Sequence, residues 1–320
     1  MEEIYNEDYF SGRNSFFYKF GGYSDFTDVW QSRLDILLKY KKSGKLLDVG
    51  CALGYMLGGW ATGQGHWRWG FYAVVPPGIL LGLLCLSMRN PARGSADGLV
   101  AAPPRARLRD YLALFRIRSY VLNCLGMAAM TFAIGGISHW MPTYVCQFRH
   151  GGGDAEVGTI FGAITAFTGV TATLLGGIAG DALRHRIRGA YFLVSAGGLI
   201  LCFPFFIAMF FVPFPWAWIF VFLAEFCLFF NTGPSNTALA NVAHPSVRST
   251  AFALNIFFIH ALGDGISPPV IGALTDAFDK NMNVGFGAVG VMMLVGAGFW
   301  LWGARYLDED TAAAAAPHGE

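Results

Sequence analysis

Seven long apolar stretches, near residues 69–88, 120–145, 157–179, 190–212, 216–240, 249–274 and 284–304, constrain this chain more than any other feature. Each approaches or exceeds the ~20 residues a helix needs to cross the hydrocarbon of a bilayer. Lipid offers no water to a backbone N–H or C=O, so each stretch must satisfy its own polar groups, as a helix does. The strict alternation of a membrane barrel is absent from them. The expected fold is mainly α: an integral membrane helical bundle with about seven transmembrane helices.

Composition agrees with the spans. Of the 320 residues, 54% are hydrophobic and 13% are charged, whereas a soluble domain carries about 25% charged residues. A net charge of +1 gives no field to gather nucleic acid, so none is expected as a partner. The six cysteines, at 51, 85, 124, 146, 202 and 227, form no CxxC pair, so no metal site or disulfide scaffold is expected. Met1-Glu2-Glu3 does not read as a secretory signal.

Loop charges set an orientation. Seven arginines between residues 89 and 118, then Arg184, Arg186 and Arg188, then Arg248 and Arg305, occupy alternate loops. The loops between them hold Arg149 with Asp154 and Glu156, then Pro213 and Pro215, then Asp276, Asp279 and Lys280. The positive-inside rule puts the first set, and with it the C-terminus, in the cytoplasm of a multi-pass protein. An odd number of spans then leaves the polar segment before residue 57 on the far side, with nothing at Met1 to take it there. The chain therefore reads as four parts: 1–57; 58–118, one span plus a cytoplasmic linker; 119–305, six spans; and 306–320, a disordered tail.

Within the first part, residues 34–42 pattern as an amphipathic helix, and residues 46–55, LLDVGCALGY, pattern as a short strand, a tight turn and a helix start. The form hhDxGxxxG resembles the first motif of class I S-adenosylmethionine-dependent methyltransferases. That resemblance implies a short α/β fragment with Asp48, Gly50 and Gly54 at a cofactor. Such an enzyme needs an acidic residue roughly 20 positions on to hold the ribose, and residues 58–78 contain no Asp or Glu. The motif implies a vestigial site only: no methyl transfer, no catalytic residue and no bound cofactor.

From residue 58 the chain resembles the major facilitator superfamily, in its Spinster-like branch. Residues 176–189, GGIAGDALRHRIRG, are similar to the signature loop between that fold's eighth and ninth helices. Residues 229–276, which begin FFNTGPSNTALANV and end GDGISPPVIGALTD, are the most distinctly Spinster-like. The resemblance implies a partial major facilitator fold: one helix of the first half and the six-helix second half. It further implies a secondary transporter and not an enzyme. Its partners would be the bilayer, a small amphiphilic or lipid-like organic solute, and protons. With half the pathway absent and a change of composition at 57–58, the chain reads as an incomplete transporter or as an inactive chimera of the two parts.

Glu225 stands out as the only formally charged residue between Arg188 and Arg248. An acid at membrane depth is costly and marks a site by default; it would bind a proton, a cation or a polar headgroup, or else tie neighbouring helices. Asn231 and Asn236 follow it and would extend a polar stripe, as cavity amides or as interhelical bonds. His260 and Asp264, four apart, share a helix face as a proton-linked or a structural pair. The resemblance makes Gly180, Asp181, Arg184, Arg186 and Arg188 a cytoplasmic gating loop; the plainer reading is a basic loop. His139 and Trp140 suit a membrane-boundary anchor.

Overall fold

A computed structural model describes residues 57–58, 60–61, 63–64, 68–88 and 108–315. All belong to one of the two units into which the chain divides, residues 50–320. The helix expected at 34–42 and the motif residues Asp48, Gly50 and Gly54 lie outside the described residues. No strand occurs among the described residues, so the α/β fragment has no support there.

The helices are α1 (Arg68–Ser87), α2 (Leu108–Ala113), α3 (Arg118–Thr143), α4 (Asp154–Leu183), α5 (Ala190–Ala208) and α6 (Ala217–Phe230), then α7 (Thr232–Val242), α8 (Arg248–Ile259), α9 (Ser267–Ala277), α10 (Met282–Gly303) and α11 (Leu307–Ala315). Joined across short irregularities, the described residues make seven helices long and apolar enough to cross a membrane, one for each apolar stretch in the sequence.

The structure departs from these expectations in three places. The fifth stretch breaks at Asn231, between α6 and α7. Pro234 lacks an N–H, so the Phe230 carbonyl loses its partner four residues on. The sixth stretch is interrupted by a π-helical turn, His260–Asp264, and α3 ends in another, Tyr144–Phe148. The tail expected to be disordered from 306 is instead helical over Leu307–Ala315. Its first turn holds Asp308, Glu309 and Asp310, which complement the positive end of the helix dipole, and an alanine run follows.

The span built on α3 is the centre of the bundle, with 72% of its most apolar stretch buried. It packs against α10, α8, α9 and α7 and against the turn at 260–264. Polar ties fix this packing. Tyr120 Oη donates to the Ala251 carbonyl at 3.0 Å, and Asn123 Nδ2 donates to the Ser235 carbonyl at 3.0 Å. Trp300 Nε1 donates to Asn123 Oδ1 at 2.9 Å. In lipid, where apolar burial cannot drive helices together, packing and bonds worth about 0.6 kcal/mol each do so. Trp140, expected at the boundary, also serves as a tie: its indole donates to the Pro268 carbonyl at 3.0 Å. By contrast, only 28% of the most apolar stretch of α4 and 17% of that of α8–α9 are buried, so these helices turn broad faces outward. Among the described side chains of α1 none is buried.

Candidate functional site

At one end of the bundle the turn 184–189 joins α4 to α5 and meets α11. Gly189 caps α5 with φ +66°, and a Cβ there would strike the Ala304 carbonyl; glycine alone fits both demands. Its N–H donates to Asp308 Oδ1 at 3.2 Å. Arg118 lies over the Tyr306 ring at 5.1 Å. Gly180 lets the Tyr191 ring lie against the end of α4, and Tyr191 Oη donates to Asp181 Oδ1 at 2.7 Å.

Arg184 Nε donates to His185 Nε2 at 3.1 Å, and Arg184, Arg186 and Arg188 are exposed. The loop residues are therefore together, but the acid pairs with a tyrosine and not with an arginine. A cavity of about 390 Å³ opens beside them.

Deeper in the membrane, Glu225 is buried between α6 and α4. The Thr165 hydroxyl lies 3.1 and 3.0 Å from its two oxygens, and the Thr168 hydroxyl lies 3.5 Å from Oε2. Each threonine also reaches back along its own helix, Thr165 to the Phe161 carbonyl at 2.9 Å and Thr168 to the Ile164 carbonyl at 2.8 Å. Each hydroxyl proton thus has both a backbone carbonyl and a carboxylate oxygen in reach.

Asn231 and Asn236, which follow Glu225 in sequence, each bond within their own span. Asn231 is buried at the helix break, where its amide donates to the Leu228 carbonyl, and Asn236 Nδ2 donates to the Thr232 carbonyl at 2.8 Å.

His260 and Asp264 are brought together, with Nδ1 and Oδ2 2.8 Å apart, and they are open, at 60% and 35% side-chain exposure. The π turn that carries them presses on α3. A Cβ on Gly135 would strike Asp264, and one on Gly263 would strike the Ala128 carbonyl. The span Arg248–Ala277 runs 30 residues, and at 1.5 Å per residue His260 sits about 18 Å from its Arg248 end. That is near the middle of the span.

Sequence reasoning missed several partners. Thr165 and Thr168, three apart in an apolar run, were a visible cue to the Glu225 contact. Asp308 to Asp310 ahead of alanines was a visible helix start. Arg149, at the other end, donates to the Met209, Phe210 and Val212 carbonyls at 2.9, 2.7 and 2.7 Å; no local pattern announced that. Among the described residues no three His, Cys, Asp or Glu side chains could hold a metal.

A buried central span, a broken span packed beside it, an exposed His260–Asp264 pair within another span and a basic loop at one end make a polytopic helical membrane bundle. The Major Facilitator Superfamily model matches residues 47–268, and the chain belongs to that superfamily. Within it the chain is similar to "Protein spinster homolog 3" of Danio rerio, 35% identical over 251 residues, covering 73% of this chain and 50% of that protein. It is likewise similar to "Sphingosine-1-phosphate transporter SPNS2" of Mus musculus, 35% identical, covering 72% and 45%, and to "Protein spinster homolog 1" of Homo sapiens, 32% identical, covering 73% and 48%. The chain spans about half the length of the curated relatives it matches. The fold is shared with the crystal structure of a bacterial homolog to the human lysosomal transporter Spinster in an inward-facing, unoccupied conformation: TM-score 0.55, 18% identity, covering 82% of this chain and 68% of that one. The match to the superfamily starts at residue 47 and takes in Asp48, Gly50 and Gly54, so no finding supports a separate methyltransferase part or a chimera.

Proposed function

We propose that the chain forms one helix and the six-helix second half of a Spinster-type secondary transporter, not an enzyme, for an amphiphilic, lipid-like small solute. The solute class rests on the relatives, three of which carry the name sphingosine-1-phosphate transporter. The Arg184–Arg188 loop and the C-terminus are cytoplasmic in this reading, as the basic loops require, and the loop with Gly180 and Asp181 gates that side.

The observation that carries the reading is the exposed His260–Asp264 pair near the middle of its span. Ionisable side chains at that level face a water-filled cavity or a protein partner, not lipid. The face that bears them is therefore a pathway wall, completed by another half-bundle, and the pair is where a proton binds. Glu225, enclosed by Thr165 and Thr168, is the second coupling group, with Asn231 and Asn236 as polar contacts at the helix break beside it. The vestigial motif at Asp48, Gly50 and Gly54 has no part in transport.

The test is uptake of a fluorescent lysophospholipid into proteoliposomes, with and without an imposed proton gradient, using the chain together with a first half from a relative. Gradient-dependent uptake lost in His260→Gln and Asp264→Asn is the expected result. Uptake that ignores the gradient in every variant removes protons from the mechanism.

A further inference from the structure

The cavity of about 390 Å³ beside the turn 184–189 is walled by Arg184, His185, Tyr191, Asn241, Asp308 and Thr311. These residues come from four separate pieces of the fold: the turn, the start of α5, the end of α7 and the helix α11. The volume falls in the range of sites for small ligands, about 300–1,000 Å³.

The turn at its edge is basic. The turn carries Arg184, Arg186 and Arg188, all exposed, and no acid among the described residues forms an ion pair with any of them. Asp308 lines the same cavity, but one of its oxygens is committed to the Gly189 N–H. Arg184 spends its Nε on His185 and also faces the Tyr191 hydroxyl, and the remaining N–H groups of its guanidinium are left for a ligand. A guanidinium presented this way suits the paired oxygens of a phosphate. The Asn241 amide and the Thr311 hydroxyl suit hydroxyl groups, and so does the second oxygen of Asp308.

Position then selects the source of the phosphate. The turn links the spans Asp154–Leu183 and Ala190–Ala208, so the cavity mouth lies at the level where bilayer headgroups lie. Basic pockets at such levels collect anionic headgroups. We infer that this cavity is a binding site for the phosphorylated, hydroxyl-bearing headgroup of an anionic membrane lipid, held by Arg184 and read by Asn241, Asp308 and Thr311. The lipid pins α11 against the turn, because its headgroup bridges residues of both. The site is separate from the His260–Asp264 pair and stands whether or not that pair couples protons.

The experiment is a binding titration of the purified full chain in neutral detergent with dioctanoyl phosphatidylinositol 4-phosphate. Dioctanoyl phosphatidylcholine and soluble inositol 1,4-bisphosphate are run in parallel. The phosphoinositide should bind, and Arg184→Gln should weaken it roughly fivefold or more, the share of one surface arginine. Thr311→Trp, which fills the cavity and leaves every charge in place, should abolish binding, while Arg305→Gln, outside the cavity, should not change it. Both cavity variants binding like the parent chain would overturn the site. Equal affinity for phosphatidylcholine would overturn the phosphate assignment, and equal affinity for the soluble bisphosphate would overturn the lipid as its source.

Discussion

The backbone N–H of Ser119, at the start of α3, donates to Asp310 Oδ2 of α11 at 2.9 Å across 191 positions of sequence. With Asp308 on Gly189, one short acidic helix supplies the caps for two membrane spans. The first turn of a helix leaves N–H groups with no internal partner, so these carboxylates satisfy donors that the spans cannot satisfy themselves. Removing such a cap costs about 1 kcal/mol. Asp310→Ala and Asp308→Ala should each lower thermal stability of the purified chain in detergent by that order, and the double variant should add the two. A chain cut after Arg305 that melts with the parent would show that α11 caps nothing.

Much of this fold was legible because hydrocarbon thickness sets a length that apolar runs must match. All seven spans fall within a few residues of where the sequence put them, apart from the longer reach of α3 and α4. What escaped is the set of contacts that pair distant residues. His260 and Asp264 share a face by spacing alone, so their contact could be read. Nothing local tells that Asp310 reaches Ser119, or that Arg149 reaches the carbonyls after α5. The π turn was hidden too, since an extra residue per turn leaves no mark on an apolar pattern. Glu225 was visible as a charge in lipid, but the sequence could not tell that its partners would be Thr165 and Thr168 and not Asn231.

The open pair makes a prediction about pH. In vesicle uptake by the assembled transporter, His260→Gln should keep folding and solute binding but flatten the dependence of rate on external pH. Asp264→Asn should do the same, and the double variant should be no worse than either, since the two act as one unit. Additive losses would show that they serve separate roles.

Arg149 holds three carbonyls that follow the end of α5 and also lies 5.8 Å from the Tyr144 and Phe214 ring centres. Charge-assisted bonds of this kind contribute about 1.5–3 kcal/mol apiece. Arg149→Met, which keeps bulk and loses every donor, should therefore destabilise the bundle by at least about 2 kcal/mol in a detergent melt. Arg149→Lys should recover part of the loss, because a point charge cannot reproduce the planar fork. Equal melting of the methionine and parent chains would make the arginine a bystander.

Glu225 sits in an asymmetric contact, and the asymmetry separates its two roles. If the carboxyl is removed, Thr165 and Thr168 keep their bonds to the Phe161 and Ile164 carbonyls, so no buried donor is stranded. If instead both threonines become valine, the carboxyl stays buried with no partner, a loss of about 1–3 kcal/mol or more. Stability should thus fall further in the Thr165→Val, Thr168→Val pair than in Glu225→Leu. Glu225→Gln keeps the size and much of the hydrogen bonding while it deletes the titratable proton. It should leave membrane expression and melting near those of the parent chain. In the assembled transporter its uptake should nevertheless drop sharply or lose its response to pH. Parent-like uptake with an unchanged pH profile would leave Glu225 as a tie between α4 and α6 and nothing more.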